Sequence, residues 1–224
     1  MSDIFREVDE EVRQEQITTF LKRYGKYLAV VITLVIIGVA GYRYLEDQKQ
    51  RQHAGMGDSF VAATDLASKG DTDQARAKFA ALAKEDPDES YGLLSRFRIA
   101  ELLAESKDRK GARTAYDEIA ADSGVADVYR DLAALYSASL GLEEGGGADL
   151  AKRLDKMDDA DNPWHLSVME LKGLNQYKMG QRDAAKTTFR TLFDAAPEQS
   201  GFKGRSAEML AVLGVPSSEL AKKN

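Results

Sequence analysis

GDTDQARAKFAALAKEDP, residues 70–87, and GQRDAAKTTFRTLFDAAP, residues 180–197, carry one pattern written twice. Gly70, Ala75, Phe79 and Pro87 recur as Gly180, Ala185, Phe189 and Pro197, with spacings of five, four and eight preserved. Between the two copies, Ala112, Tyr116 and Ile119 repeat Ala75, Phe79 and Leu82 one period of 37 residues later. A period in the thirties is the mark of stacked helical hairpins, because a single hairpin cannot bury its apolar face alone. The small residue lets the second helix lie close on the first, and the aromatic one turn further along the same face fills the space between neighbours. Glycine supplies the positive φ of the tight turn, and proline stops the second helix.

From these anchors the units are expected at 57–88, 93–124 and 166–197. A degenerate unit is expected at 128–162, where Leu150, Leu154 and Met157 take the alanine, aromatic and apolar places. Residues 141–147 (GLEEGGG) read as a flexible enlargement of its turn. Residues 203–213 (KGRSAEMLAVL) read as a capping helix, which an open stack needs over its last apolar face, and 214–224 as a flexible tail. The pattern resembles a tetratricopeptide repeat. The expected fold is all-α: an α-solenoid of about four such hairpins over 57–213, preceded by one N-terminal transmembrane helix.

That helix is read from LAVVITLVIIGVAGY, residues 28–42, which carry no charge. Over 27–45 only Arg43 is charged, and a helix of that length reaches roughly 28 Å, close to a hydrocarbon core. Its Val, Ile and Leu residues favour insertion by on the order of 4 kcal/mol. Tyr24, Tyr27, Tyr42 and Tyr44 stand at the two ends, at headgroup level. A buried core helix would show polar residues at helical spacing, and only Thr33 interrupts 28–40. A cleavable signal peptide is the competing reading, with Gly38-Val39-Ala40 as a small-residue site. The long leading segment with Asp3, Glu7, Asp9, Glu10, Glu11 and Glu15 favours an uncleaved anchor.

Arg6, Arg13, Lys22, Arg23 and Lys26 precede the span, against Arg43, Lys49 and Arg51 after it, which favours an inside N-terminus and an exported repeat domain. Residues 1–26 carry an apolar stripe (Ile4 or Phe5, Val8, Val12, Ile17, Phe20 or Leu21, Tyr24) and an acidic opposite face. They read either as a partner-binding helix or as a solvated one. Residues 46–56 read as a linker helix.

Composition removes several function classes. A formal net charge of −6 with scattered Lys and Arg disfavours nucleic acid. Zero cysteines exclude disulfides, thiolate metal sites and a thiol nucleophile. His53 and His165 have no second ligand at metal spacing, and Asp155, Asp158, Asp159 and Asp161 lack the glycine and terminal glutamate of a calcium loop. No phosphate loop or nucleophile elbow appears, so neither a cofactor nor an enzyme is expected. Gly38 and Gly41 stand three apart, which misses the common helix-pairing motif, and the oligomeric state is left open.

The opening IFREVDEEVRQEQITTFLKRYG (4–25), the apolar span and the Gly-x4-Ala-x3-Phe units together resemble the YfgM-like family of ancillary subunits of the bacterial Sec translocon. The resemblance covers nearly the whole chain. It implies an inner-membrane protein with its repeat domain in the periplasm, near the SecYEG channel and a membrane-anchored periplasmic chaperone, assisting the traffic of exported proteins. A scaffold for another envelope assembly, in division or outer-membrane biogenesis, is the alternative. An enzyme with an unrecognised site, and a reversed topology with a cytosolic repeat domain, stand behind it.

In stacked hairpins the first helix of each unit lines the concave side. By register its outward positions are Phe60 and Thr64, then Leu94, Phe97 and Glu101, then Glu170, Leu174 and Tyr177. Mixed aromatic and acidic residues suit an extended peptide or a partner helix. The other reading of Phe60, Phe97 and Leu174 is burial by neighbouring units or by the capping helix.

Overall fold

The structure, a computed structural model, describes residues 3–85, 87–88, 90–216 and 219, and of residues 3–25, 28–30, 32 and 49–53 the backbone alone. Among the described residues every regular element is an α-helix: α1 (Asp3–Ser68), α2 (Thr72–Glu85), α3 (Ser90–Glu105), α4 (Arg109–Ala121), α5 (Asp127–Glu143), α6 (Ala148–Met157), α7 (His165–Lys178), α8 (Arg182–Ala195) and α9 (Gly201–Val212). The chain divides into two compact units, Met1–Gly55 and Met56–Asn224.

The first unit consists of the leading part of α1, where no proline interrupts the helix. Leu34, Val35, Ile36, Ile37 and Val39 follow one another around the whole circumference, and all are exposed. A helix on the surface of a globular domain would bury one stripe of such residues. The transmembrane helix expected at 27–45 is not found: among the described residues no helix is long and apolar enough to cross a membrane. The unbroken run of described side chains begins at Thr33 and soon meets Arg43, Glu46 and Asp47, while Leu28, Ala29, Val30 and Ile32 of the expected span lie outside it. The stripe proposed for 1–26 likewise lies outside the described side chains.

The second unit is a stack of hairpins. The last turns of α1 pack against α2 through Met56, Ala63, Ala75 and Phe79, α3 pairs with α4, α5 with α6 and α7 with α8, and α9 covers α8. Each hairpin turns by one hydrogen-bond pattern. Gly70 N–H donates to the Ala67 carbonyl and Asp71 N–H to that of Leu66, both at 3.0 Å, with Gly70 at φ +87°. Gly180 at φ +75° and Gln181 do the same in the fourth hairpin, with Tyr177 and Gln176 as acceptors. In the second, Lys107 holds this left-handed place at φ +68°. The motif satisfies carbonyls that a helix end leaves open.

The third hairpin follows the frame through Gly145, whose N–H donates to Leu142, while Gly146 N–H donates to Gly141. This corrects the expected loop at 141–147. Residues 141–143 belong to α5, and the turn itself is held in place. Buried Asn175 of α7 accepts from the Gly147 N–H at 2.8 Å and donates to the Gly147 carbonyl at 3.0 Å, so one side-chain amide bonds both backbone groups of this residue.

Seven residues before each turn position stands a small buried residue, Ala63, Ala100, Ala138 or Gly173, and five after it stands Ala75, Ala112, Leu150 or Ala185. At Gly173 the approach is so close that an added Cβ would lie 2.8 Å from the Phe189 ring. Phe79, Tyr116, Leu154 and Phe189 fill the gaps one turn on. The core is therefore four clusters in series, and the cluster around Phe79 already includes Leu102 of the next hairpin. The last is closed by α9, whose end turns at Gly214 (φ +87°) and lays Val215 against Leu210. Stability in such a stack comes from nearest neighbours.

Candidate partner-binding groove

Helices α3 and α5 face each other across a groove of about 830 Å³. On α3, Leu94, Phe97 and Glu101 are three and four apart and share one face. On α5, Tyr129, Leu132 and Tyr136 do the same, and Leu93, Tyr116 and Val125 form the floor. Leu94, Tyr129 and Tyr136 are 48%, 46% and 45% exposed, so the walls present ring and methyl surface to solvent rather than sealing it.

The rings make a cluster of their own. Tyr116 and Tyr136 stack at 5.2 Å between centroids, and Phe97 approaches them at 6.1 and 6.4 Å. Such offset and edge contacts are the favoured geometries for aromatic rings. Burial, then the negative charge of Glu101, pushes the Tyr116 phenol up to about 12. Among the described residues, Asp88, Glu101 and Asp127 supply the charge of the lining, and no lysine, arginine or histidine lines it.

The loop between α4 and α5 is fixed by Asp122, which accepts from the Gly124 N–H at 3.1 Å and from Arg96 at 2.9 Å. These bonds, that of Gly124 first, hold its carboxyl below the usual carboxylate range. Arg96 also donates to the Pro87 carbonyl at 2.9 Å and contacts Asp88 at 3.5 Å. One guanidinium thus joins both chain segments that end the groove.

Of the concave positions read from register, the structure brings Leu94, Phe97 and Glu101 together here. Phe60 packs against Phe79 and Tyr91, with centroids 5.3 and 5.5 Å away, in the core of the first hairpin. Thr64 donates to the Phe60 carbonyl at 3.0 Å. Glu170 is taken by Arg205 of α9 in a two-point pair at 2.5 and 2.8 Å. Leu174 and Tyr177 pack partly buried against the last core cluster, with Arg182 over the Tyr177 ring at 5.8 Å. Pro197 follows α8, and its carbonyl accepts from Ser200.

Tyr129, Leu132 and Tyr136 are absent from the concave set read in the sequence. Their three- and four-residue spacing is visible there, but the enlarged turn expected at 141–147 leaves the offset between the first helix of that unit and Leu150 and Leu154 open.

The acidic segment before α7 does not gather a metal site. Lys172 sits between Asp155 (2.9 Å) and Asp158 (2.8 Å), and those bonds raise its pKa. His165 Nδ1 lies 3.3 Å from Asp158. Among the described residues no group of three or more His, Asp or Glu is placed to hold a metal ion. The side chain of His53 lies outside the described residues.

A family model for a tetratricopeptide repeat-like domain matches residues 18–210, from the leading helix through α9. No curated protein and no solved structure matches the chain. Repeat stacks of this type act through extended surfaces that bind other proteins. With the match running over most of its length and the hairpins repeating in the geometry above, the chain belongs to the tetratricopeptide repeat-like domain family.

Proposed function

We propose that this protein is a membrane-anchored adaptor that holds partner proteins on the periplasmic side of the bacterial inner membrane during the traffic of exported proteins. The observation that carries the adaptor role is the open aromatic groove between α3 and α5, with Leu94, Tyr129 and Tyr136 exposed in a domain built for protein contact. The anchor at 27–45 is supported by the apolar side chains of 34–39, exposed all around the helix, and by the uncharged stretch 28–42. The excess of Lys and Arg before that stretch supports an inside N-terminus. The resemblance to YfgM-like subunits supports SecYEG and a membrane-anchored chaperone as the neighbours.

A photo-crosslinking residue placed at Tyr129 in intact cells tests the reading. Capture of translocon or chaperone subunits, at a level a probe at exposed Val212 of α9 does not reach, is the expected result. Capture of division or outer-membrane assembly proteins alone would transfer the adaptor to another envelope complex, and equal labelling from both positions would remove the groove from the function. Protease added to spheroplasts should digest the repeat domain, and its survival until lysis would overturn the topology.

A further inference from the structure

We infer that the groove between α3 and α5 selects a partner segment in which an apolar or aromatic side chain stands beside lysine or arginine. This rests on the adaptor reading above and names the chemistry of the bound segment. The first ground is charge. Asp88, Asp122, Glu101, Glu105 and Asp127 lie on or next to the lining, and Arg96, Arg98 and Arg130 are the guanidinium groups paired among them. Among the described residues, five carboxylates against three cations leave the site negative, and Arg96 serves two acids at once. A segment rich in Asp or Glu, or one presenting its terminal carboxylate, would find no cationic side chain on the lining to meet it.

The second ground is the ring cluster. Tyr136, backed by the buried Tyr116, and the partly buried Phe97 offer ring surface on a lining that also carries Glu101 and Asp127, and a cation over such a face is attracted by the ring quadrupole. The methylene stems of Lys and Arg lie well on apolar walls such as Leu94 and Leu132 while their heads reach the acids. Leu93 and Val125 on the floor take the adjoining apolar residue. A volume of about 830 Å³ holds a few side chains rather than a folded element.

The test uses the full chain in nonionic micelles and three fluorescein-labelled peptides that share one apolar pattern and carry Lys, Gln or Glu between those positions. Empty micelles are the blank, and anisotropy is the readout. The Lys peptide should bind about tenfold more tightly than the Glu peptide, with Gln between them, and the preference should shrink as salt is raised. Glu101→Gln with Asp127→Asn should abolish most of that preference. Glu208→Gln with Asp183→Asn, the same charge change at exposed positions on α9 and α8, should leave it intact. Tyr136→Ala should weaken all three peptides together.

Equal or tighter binding of the Glu peptide overturns the inference, as does failure of all three to bind. Equal loss of preference in both double variants also overturns it, since the selectivity would then come from net charge alone. Translocon capture from Tyr129 together with indifferent peptides would leave the adaptor reading standing and remove only this inference.

Discussion

The third and fourth hairpins share a turn frame and differ where their two helices meet. In the fourth, Ala185 on α8 and Gly173 on α7 let the helices touch closely enough for the Phe189 ring to lie against the α7 backbone. In the third, Leu150 stands where Ala185 does, and α5 packs more extensively on α4 than on its own partner α6. Helix α6 is tied outside the hairpin as well as within it: Arg153 reaches Asp117 of α4 at 2.7 Å, besides the buried Ser137 hydroxyl of its own partner α5 at 3.3 Å. Leu150 at the close-approach position thus accompanies a hairpin whose two helices share less contact than those of the fourth. The spread hairpin is also the one that contributes Tyr129, Leu132 and Tyr136 to the groove.

The sharpest way to break this comparison is to exchange the two residues. Leu150→Ala should cost about 3 kcal/mol, since α6 is pinned by α4 and α7 and cannot close onto the space left beside Leu142 and Leu154. Ala185→Leu should cost about 2 kcal/mol for the opposite reason, forcing apart a contact with no spare room. Urea unfolding of each variant, followed by far-ultraviolet circular dichroism, reads both values. A neutral or stabilising Leu150→Ala would mean that the third hairpin can close as the fourth does, and that Leu150 does not hold it open.

The same comparison explains what could be read in advance. Ala75, Phe79, Ala185 and Phe189 were legible because an aromatic four residues after an alanine is a distinctive pair that recurs at fixed distance. Their counterparts on the first helices, Ala63, Ala100, Ala138 and Gly173, recur just as regularly. They carry little signal, because small residues are common in an alanine-rich chain. The groove was legible on α3, where Leu94, Phe97 and Glu101 are fixed by the neighbouring Ala112 and Tyr116. It was not read on α5: Leu150, Leu154 and Met157 set the frame of α6, but an enlarged loop over 141–147 leaves the offset to α5 open, and the hydrogen bond from Gly145 to Leu142 fixes that offset. Register also cannot tell that α9 supplies Arg205 to Glu170, a contact 35 residues away in sequence.

A smaller effect sharpens the account of how the spread hairpin is tied. Asn175 joins α7 to the Gly147 peptide from a fully buried position, and no other hairpin has such a link at its turn among the described residues. Asn175→Ala should cost about 1 to 2 kcal/mol, because it leaves the buried Gly147 N–H without its partner, while the Gly147 carbonyl keeps the Ala151 N–H at 3.0 Å. Hydrogen exchange should rise at Gly147 and the first turn of α6 while the turn at Gly180 stays protected. Uniform loss of protection across both hairpins would show that Asn175 supports the whole core instead of one turn.

The smallest expected effect concerns the turn position, where the hairpins carry Gly70, Lys107, Gly145 and Gly180. Only the second asks a side chain to adopt a left-handed backbone, at φ +68°, which costs an L-residue roughly 1 to 2 kcal/mol relative to glycine. Glycine in turn loses more freedom on folding, by about 0.4 to 1 kcal/mol. The two terms oppose each other and the first is the larger, so Lys107→Gly should raise stability by about 0.5 to 1 kcal/mol in the urea measurement. Lys107 is exposed, so no packing is lost with its side chain. Gly180→Lys should lower stability by a similar amount, because the hydrogen bonds at that turn follow the same pattern. If both substitutions destabilise, the turns are not equivalent, and the single frame laid over the four hairpins fails at its turn position.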